Sequence, residues 1–266
     1  MSATETVRLY CKALRLPTVA AVVGETLTLA QREAWPLETF LLHLLEQEVA
    51  GRQQRRIERL LRQSHLPVGK TLSSFDQSRL PLHTRRLLPE LARGDFIGRS
   101  GNILFFGLPG TGKSHLAAAL GYEWVQNDYS VLFTPAYLLV DGLLRAKRDY
   151  ALEPELRRLD RFAVIILDDI GYVQQSREEM EVLFTLLAER YERRSVVITS
   201  NLVFSEWNQI FKDPLTTAAA IDRVVHHSTI IEFGSEITSF RAEEAKRRQR
   251  RPAQAVQEDQ TLGEQG

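Results

Sequence analysis

The residues Gly107-Leu108-Pro109-Gly110-Thr111-Gly112-Lys113-Ser114 follow the pattern G-x-x-x-x-G-K-[ST], between an apolar run, Asn102 to Phe106, and a helical run from His115 to Gln126. A glycine-rich turn from strand to helix can surround a phosphate with backbone N–H groups, because glycine tolerates close approaches and backbone conformations closed to other residues. Gly107, Pro109, Gly110, Thr111, Gly112 and His115 are assigned to that cradle. Lys113 supplies positive charge for the β- and γ-phosphates of ATP, and Ser114 a hydroxyl ligand for Mg²⁺. A second run, Val164-Ile165-Ile166-Leu167, ends in Asp168-Asp169. Two carboxylates directly after a buried strand are costly unless they emerge at the carboxyl edge of a sheet, where open α/β sheets bind ligands. Asp168 is assigned to the metal, and Asp169 to orienting or deprotonating a water.

Asn201 follows the run Val196 to Thr199. If that strand lies between the other two, Asn201 reaches the γ-phosphate and can position water; otherwise it is a turn former. Arg223, in Ile221-Asp222-Arg223-Val224-Val225, is placed to serve a neighbouring subunit, where an arginine neutralises a transferring phosphoryl group. The alternative is a local pair with Asp222. His226 and His227 lack a carboxylate at ligand spacing and read as structural rather than metal-binding.

These groups need a scaffold that brings strand ends together. Five strand-like runs, Asn102–Phe106, Val131–Thr134, Ala163–Leu167, Val196–Thr199 and Thr229–Phe233, alternate with helical patterns. The alternation predicts an α/β fold, a parallel five-stranded sheet between helices. Ser176 and Glu179 form a capping box ahead of Met180, Leu183, Phe184 and Leu187. Before the sheet, residues 1–66 read as a small all-helical module. In it Leu37, Phe40, Leu41, Leu44 and Leu45 share one helical face, and a second segment, Glu48 to Gln63, is basic through Arg52, Arg55, Arg56, Arg59 and Arg62. Residues 67–100 read as linker and pocket entry, 101–245 as the nucleotide domain and 246–266 as a disordered tail.

Composition removes several classes. With 266 residues, 44% hydrophobic and 26% charged, the chain is an ordinary globular one. Its longest strictly aliphatic run is Val164 to Leu167, and Met1 to Lys12 lacks an apolar signal segment, so no membrane role and a cytoplasmic location are expected. One cysteine, Cys11, excludes an internal disulfide framework. The 34 basic and 34 acidic residues cancel, so nucleic-acid binding must rest on local clusters: the Arg52–Arg62 face, Arg145-Lys147-Arg148, and Lys246 to Arg251.

Taken together, several segments resemble the IstB-like helper ATPases of transposition, relatives of DnaC-type helicase loaders within the AAA+ class. They are Leu14-Arg15-Leu16-Pro17, Lys70-Thr71-Leu72 with Phe75-Asp76, Gly107 to His115, and Leu167-Asp168-Asp169-Ile170-Gly171-Tyr172. Further on come Tyr191-Glu192-Arg193-Arg194-Ser195, Ile198-Thr199-Ser200-Asn201 with Phe204-Ser205-Glu206-Trp207, and Asp222-Arg223 with His226-His227. The resemblance implies an ATPase that forms homo-oligomers on double-stranded DNA and works with a cognate transposase in choosing the target site. It gives Asn201 a first sensor role and Arg223 that of an arginine finger acting in trans. The family pattern has Asp-Glu where this chain has Asp168-Asp169, and its terminal Ser-Tyr-Arg is similar to Ser239-Phe240-Arg241, where the arginine is either a second sensor, as the resemblance implies, or a solvated helix residue. A replicative helicase loader shares the core and is the competing partner assignment. A small-molecule kinase would add an arginine-bearing lid, and a non-hydrolysing switch would use ATP only to hold the oligomer.

Overall fold

The computed structural model describes residues 2–172, 176–202, 206–207 and 214–233. The chain divides into two compact units, Met1–His65 and Leu66–Gly266. Arg241, the basic run 246–251 and the rest of the predicted tail lie outside the described residues.

The first unit is three helices, α1 (Ala3–Ala13), α2 (Pro17–Arg32) and α3 (Leu37–Ser64). Ser2 and Glu5 form a capping box at the start of α1, and Pro17 opens α2, where a missing N–H costs nothing. The two segments expected over 37–63 are one continuous helix. Its inward face is only part of the expected one. Leu44 packs with Cys11, Val19 and Val23, while Leu37, Leu41 and Leu45 are exposed. Phe40 and Leu44 of that stripe do pack inward, and the buried line continues from Leu44 through Glu48.

Glu48 explains that choice. The start of α2 has no side-chain cap of its own. Glu48, buried on α3, accepts the N–H groups of Thr18 at 2.9 Å and Val19 at 3.1 Å, and ion-pairs with Arg52 at 3.0 Å and Arg55 at 3.2 Å. Arg52 also donates to the Arg15 carbonyl at 2.9 Å. Two arginines of the basic face therefore hold the three-helix unit together. Burial pushes the Glu48 carboxyl up, but the Val19 N–H, the Arg52 guanidinium and the Thr18 N–H outweigh it and hold its pKa below the ordinary value.

The second unit is built on β1 (Asn102–Gly107), β2 (Val131–Pro135), β3 (Val164–Asp168), β4 (Ser195–Ser200) and β5 (Ser228–Phe233), all parallel in the order β2-β3-β4-β1-β5. The helices are α4 (Leu82–Arg93), α5 (Lys113–Gln126), α6 (Ala136–Arg148), α7 (Leu152–Leu159), α8 (Arg177–Arg190) and α9 (Pro214–Val225). All five predicted strands are present. Their residues are apolar without alternation because both faces are covered, as in Ile103, Leu104, Phe105 and Phe106 of β1. Beneath α8, Ser176 and Glu179 make the predicted capping box. At the amino edge of the sheet the buried Arg190 donates to the carbonyls of Leu159, Phe162, Ala163 and Ser195, tying α7 to β3 and β4. Burial pushes its pKa down to about 9, which leaves it charged at neutral pH.

Strand order positions the site. β4 lies between β3 and β1, with Leu167 beside Ile198 and Phe106 beside Ser200. The ends carrying Gly107, Asp168 and Ser200 are therefore neighbours at the carboxyl edge, the condition on which the assignment of Asn201 depended.

Replacing Glu48 by alanine is expected to destabilise the helical unit by about 1–3 kcal/mol, since it strands two N–H groups at the start of α2. Because the folded pKa lies below the free value of 4.5, this contribution is fully present above that pH and lost on further acidification. Thermal melts of the full chain and of Glu48→Ala between pH 4 and 7 check both points; equal melting temperatures at neutral pH would contradict them.

Candidate functional site

The loop after β1 depends on its glycines. Gly107 has φ +150°, and a Cβ there would stand 2.6 Å from the Phe233 carbonyl oxygen of β5. Gly112, at φ +102°, precedes the first residue of α5 and lies against the Phe75 ring. The loop can thus pass close to β5 and turn its N–H groups toward the start of α5. Lys113 is 4% exposed, and its ammonium donates to the carbonyls of Gly107 at 2.7 Å and Leu108 at 2.9 Å. Two of its three protons are thereby used, which leaves one for a ligand. Burial lowers its pKa, while Asp169 and Asp168 oppose the shift.

The Asp168 carboxylate and the Asp169 main chain are fixed by a residue that the sequence reading passed over. The Thr199 hydroxyl donates to Asp168 at 2.7 Å and accepts the N–H of Asp169 at 2.8 Å. Asp169 is turned by this bond into a left-handed conformation, φ +55°, which an aspartate tolerates better than most residues. Burial raises the Asp169 pKa, Asp168 adds to the rise, and Lys113 and Lys70 oppose it. Asn201 occupies the space left by the absent side chain of Gly171, and its amide oxygen is buried with no hydrogen-bond partner among the described residues.

A cavity of about 360 Å³ joins these groups, within the range of small-molecule sites. It is lined by Lys70, Pro109, Gly110, Gly112, Lys113, Ser114, His115, Asp169 and Asn201. Of the predicted residues, Gly107 and Thr111 shape the loop from outside the lining, Thr111 through a 2.8 Å bond to the Leu108 carbonyl. Asp168 stands behind Asp169 on the Thr199 bond. Arg223 is elsewhere within this chain: it stacks over the Phe184 ring, 4.6 Å to the centroid, with one guanidinium nitrogen buried and unbonded. A pair with Asp222 does not form.

Two further sequence readings change. Glu192 comes within 3.7 Å of His227, and Tyr191 bonds His226 at 3.0 Å, so a carboxylate does accompany the two histidines. All three are exposed and join the turn before β4 to the end of α9. In the Arg145-Lys147-Arg148 cluster, Asp141, Glu181 and Glu178 pair the three cations in turn. Lys70 and Thr199 were legible only as members of longer motifs.

The residues fit a magnesium nucleotide. The loop keeps its path beside β5 only because Gly107 has no Cβ to meet the Phe233 carbonyl, Ser114 and Asp168 offer the hard oxygen donors Mg²⁺ prefers, and the amide oxygen of Asn201 is an acceptor at the cavity wall without a hydrogen-bond partner among the described residues.

The chain matches the family model described as IstB-like ATP binding protein over residues 10–249. It is 47% identical to an insertion-sequence ATP-binding protein of Sinorhizobium fredii, over 90% of this chain and 81% of that one. It is 39% identical to the IS21 insertion-sequence ATP-binding protein of Pseudomonas aeruginosa, over 88% of each. Among solved structures it is similar to the DnaC helicase loader, TM-score 0.54 at 17% identity, covering 63% of this chain and 98% of that one. It is also similar to AMPPCP-bound DnaA from Aquifex aeolicus, TM-score 0.52 at 17% identity, covering 70% and 57%. Both are likenesses of fold. Among the described residues no helix is long and apolar enough to cross a membrane.

Thr199→Val keeps the shape of β4 and removes the hydroxyl that holds both aspartates. Turnover of a bound nucleotide is expected to fall about 10- to 100-fold, as when other outer-shell partners of metal ligands are lost, with nucleotide affinity changed much less. Steady-state phosphate release and equilibrium binding on the same preparation separate the two, and parent-rate turnover would remove Thr199 from the site.

Proposed function

The chain belongs to the IstB-like family of ATP-binding proteins, a P-loop ATPase with the AAA+ fold, and on that premise we propose that it is the ATP-dependent helper of a transposase. In this reading it assembles into homo-oligomers on double-stranded DNA and directs target-site selection. The single observation that carries the chemistry is the convergence of Lys113, Ser114, Asp169 and Asn201 on one cavity, with Asp168 immediately behind. The insertion-sequence names of its relatives favour a transposase over a replicative helicase as the partner.

The loop N–H groups and Lys113 bind the phosphates. Ser114 and Asp168 would hold Mg²⁺, which when bound neutralises charge on the β- and γ-oxygens. Asn201 orients a water against the γ-phosphate, and Asp169 accepts its proton. The shorter side chain of Asp169, compared with the family's glutamate, is matched by its position: its backbone is pulled over the end of β4 by Thr199. Arg223 completes the charge balance from a neighbouring copy, leaving Phe184 to do so. For DNA, beside Arg52 and Arg55, which serve Glu48, the basic face of α3 carries the exposed Arg56, Arg59 and Arg62. Repetition along an oligomer would raise the effective concentration of such weak contacts.

The trans arginine gives the reading a direct test. Arg223→Ala should fold and bind ATP as the parent does, yet lose DNA-dependent turnover by a factor on the order of 10³ or more. Lys113→Ala should lose ATP binding. Mixed on DNA, the two should recover part of the activity, because an intact arginine can face an intact nucleotide site. Phosphate release at matched total protein reads the outcome, and no recovery in demonstrably mixed oligomers would assign Arg223 to its own chain.

A further inference from the structure

Residues 67–76 form a strap of turns sewn to α5. The Tyr122 hydroxyl donates to the Pro67 carbonyl at 3.3 Å. The His115 imidazole contacts the Ser74 hydroxyl at 3.1 Å and the Thr71 carbonyl at 3.3 Å. The Phe75 ring, 7% exposed, meets the His115 ring edge-on at 5.2 Å and fills the space beside Gly112. Within the strap, Ser74 donates to the Gly69 carbonyl at 2.7 Å, and Gly69 itself takes φ +82°. These bonds bracket Lys70 on both sides, and Lys70 is the residue of the strap that lines the nucleotide cavity.

Charge gives that position a purpose. Asp168 and Asp169 add negative charge to a cavity meant for a polyanion, and in the described chain Lys113 shares its ammonium between two carbonyls while Arg223 lies on Phe184. Lys70 is the second cation of the cavity lining. Its charge acts on Asp169, the carboxylate assigned to the water that attacks the terminal phosphate, whereas Ser114 and His115 lie at the start of α5. A compact ammonium on a flexible stem suits a phosphate oxygen approached from a fixed backbone.

We propose that Lys70 contacts the terminal phosphate of bound ATP from within the same chain, so that the strap distinguishes ATP from ADP. The assignment rests on the nucleotide-site reading above. When the γ-phosphate leaves, Lys70 loses its partner and the strap loses its tie to the nucleotide, while the Lys113 and loop contacts to the β-phosphate remain.

The test is equilibrium binding of ADP and of a non-hydrolysable ATP analogue to the full chain and to Lys70→Ala, Lys70→Arg and Lys113→Ala. Lys70→Ala should weaken the ATP analogue roughly 10- to 100-fold, the range for a hydrogen bond between charged groups, and ADP by less than about twofold. Lys70→Arg should restore most of the difference, which a merely structural lysine would not require. Equal weakening of both nucleotides, or of neither, in a parent that binds both would overturn the inference and leave the nucleotide site standing. A parent that binds neither nucleotide, or a Lys113→Ala chain that binds both as the parent does, would overturn the site reading and this inference with it.

Discussion

The hydroxyl of Thr199 is the interaction on which the site's geometry turns. It lies on β4, donates to Asp168 and accepts from the backbone of Asp169, so one short side chain holds the carboxylate of the first aspartate and the main chain of the second. A left-handed backbone costs a non-glycine residue roughly 1–2 kcal/mol, and this hydrogen bond together with burial of the strand end offsets it. None of this is possible unless β4 pairs with β3 at that register. The insertion of β4 between β3 and β1 is thus the constraint that turns three separate strand ends into one pocket, and it brings Asn201 to the wall opposite the loop.

The same principle, a polar group held by several partners, organises the helical unit. Glu48 is buried at the start of α2, where the helix dipole and two free N–H groups favour negative charge. Arg52 and Arg55 then satisfy its remaining oxygen at half-exposed positions. A cationic face on a helix therefore divides into two kinds of residue, those that stabilise a neighbouring helix and those left facing water.

Much of this was legible from residue types and spacing, and the exceptions have specific causes. The loop, the acidic strand end and all five strands follow from local pattern, because a parallel strand buried on both faces and a glycine-rich turn each have a composition of their own. The role of Asn201 depended on strand order, a tertiary fact that no local pattern encodes. The leucine stripe of α3 was right for Phe40 and Leu44 only, because periodicity reports which residues share a face, whereas the buried line was decided by where Glu48 meets the N–H groups at the start of α2. Glu192 reached the histidines, and Phe184 reached Arg223, across separations of more than thirty residues. Thr199 looked like an ordinary β-branched strand residue; only its place opposite Asp168 makes it a positioning group.

Both units bear on one question, whether nucleotide chemistry in the second unit is coupled to DNA. Steady-state phosphate release from ATP by the full chain, followed while double-stranded DNA is titrated at fixed protein concentration, tests it most directly. The account predicts slow release by the free chain and a rise that saturates with DNA and steepens at higher protein concentration, as the proposed contribution of Arg223 from a neighbouring copy requires. Release that is absent with and without DNA, or that is independent of both DNA and protein concentration, would contradict it.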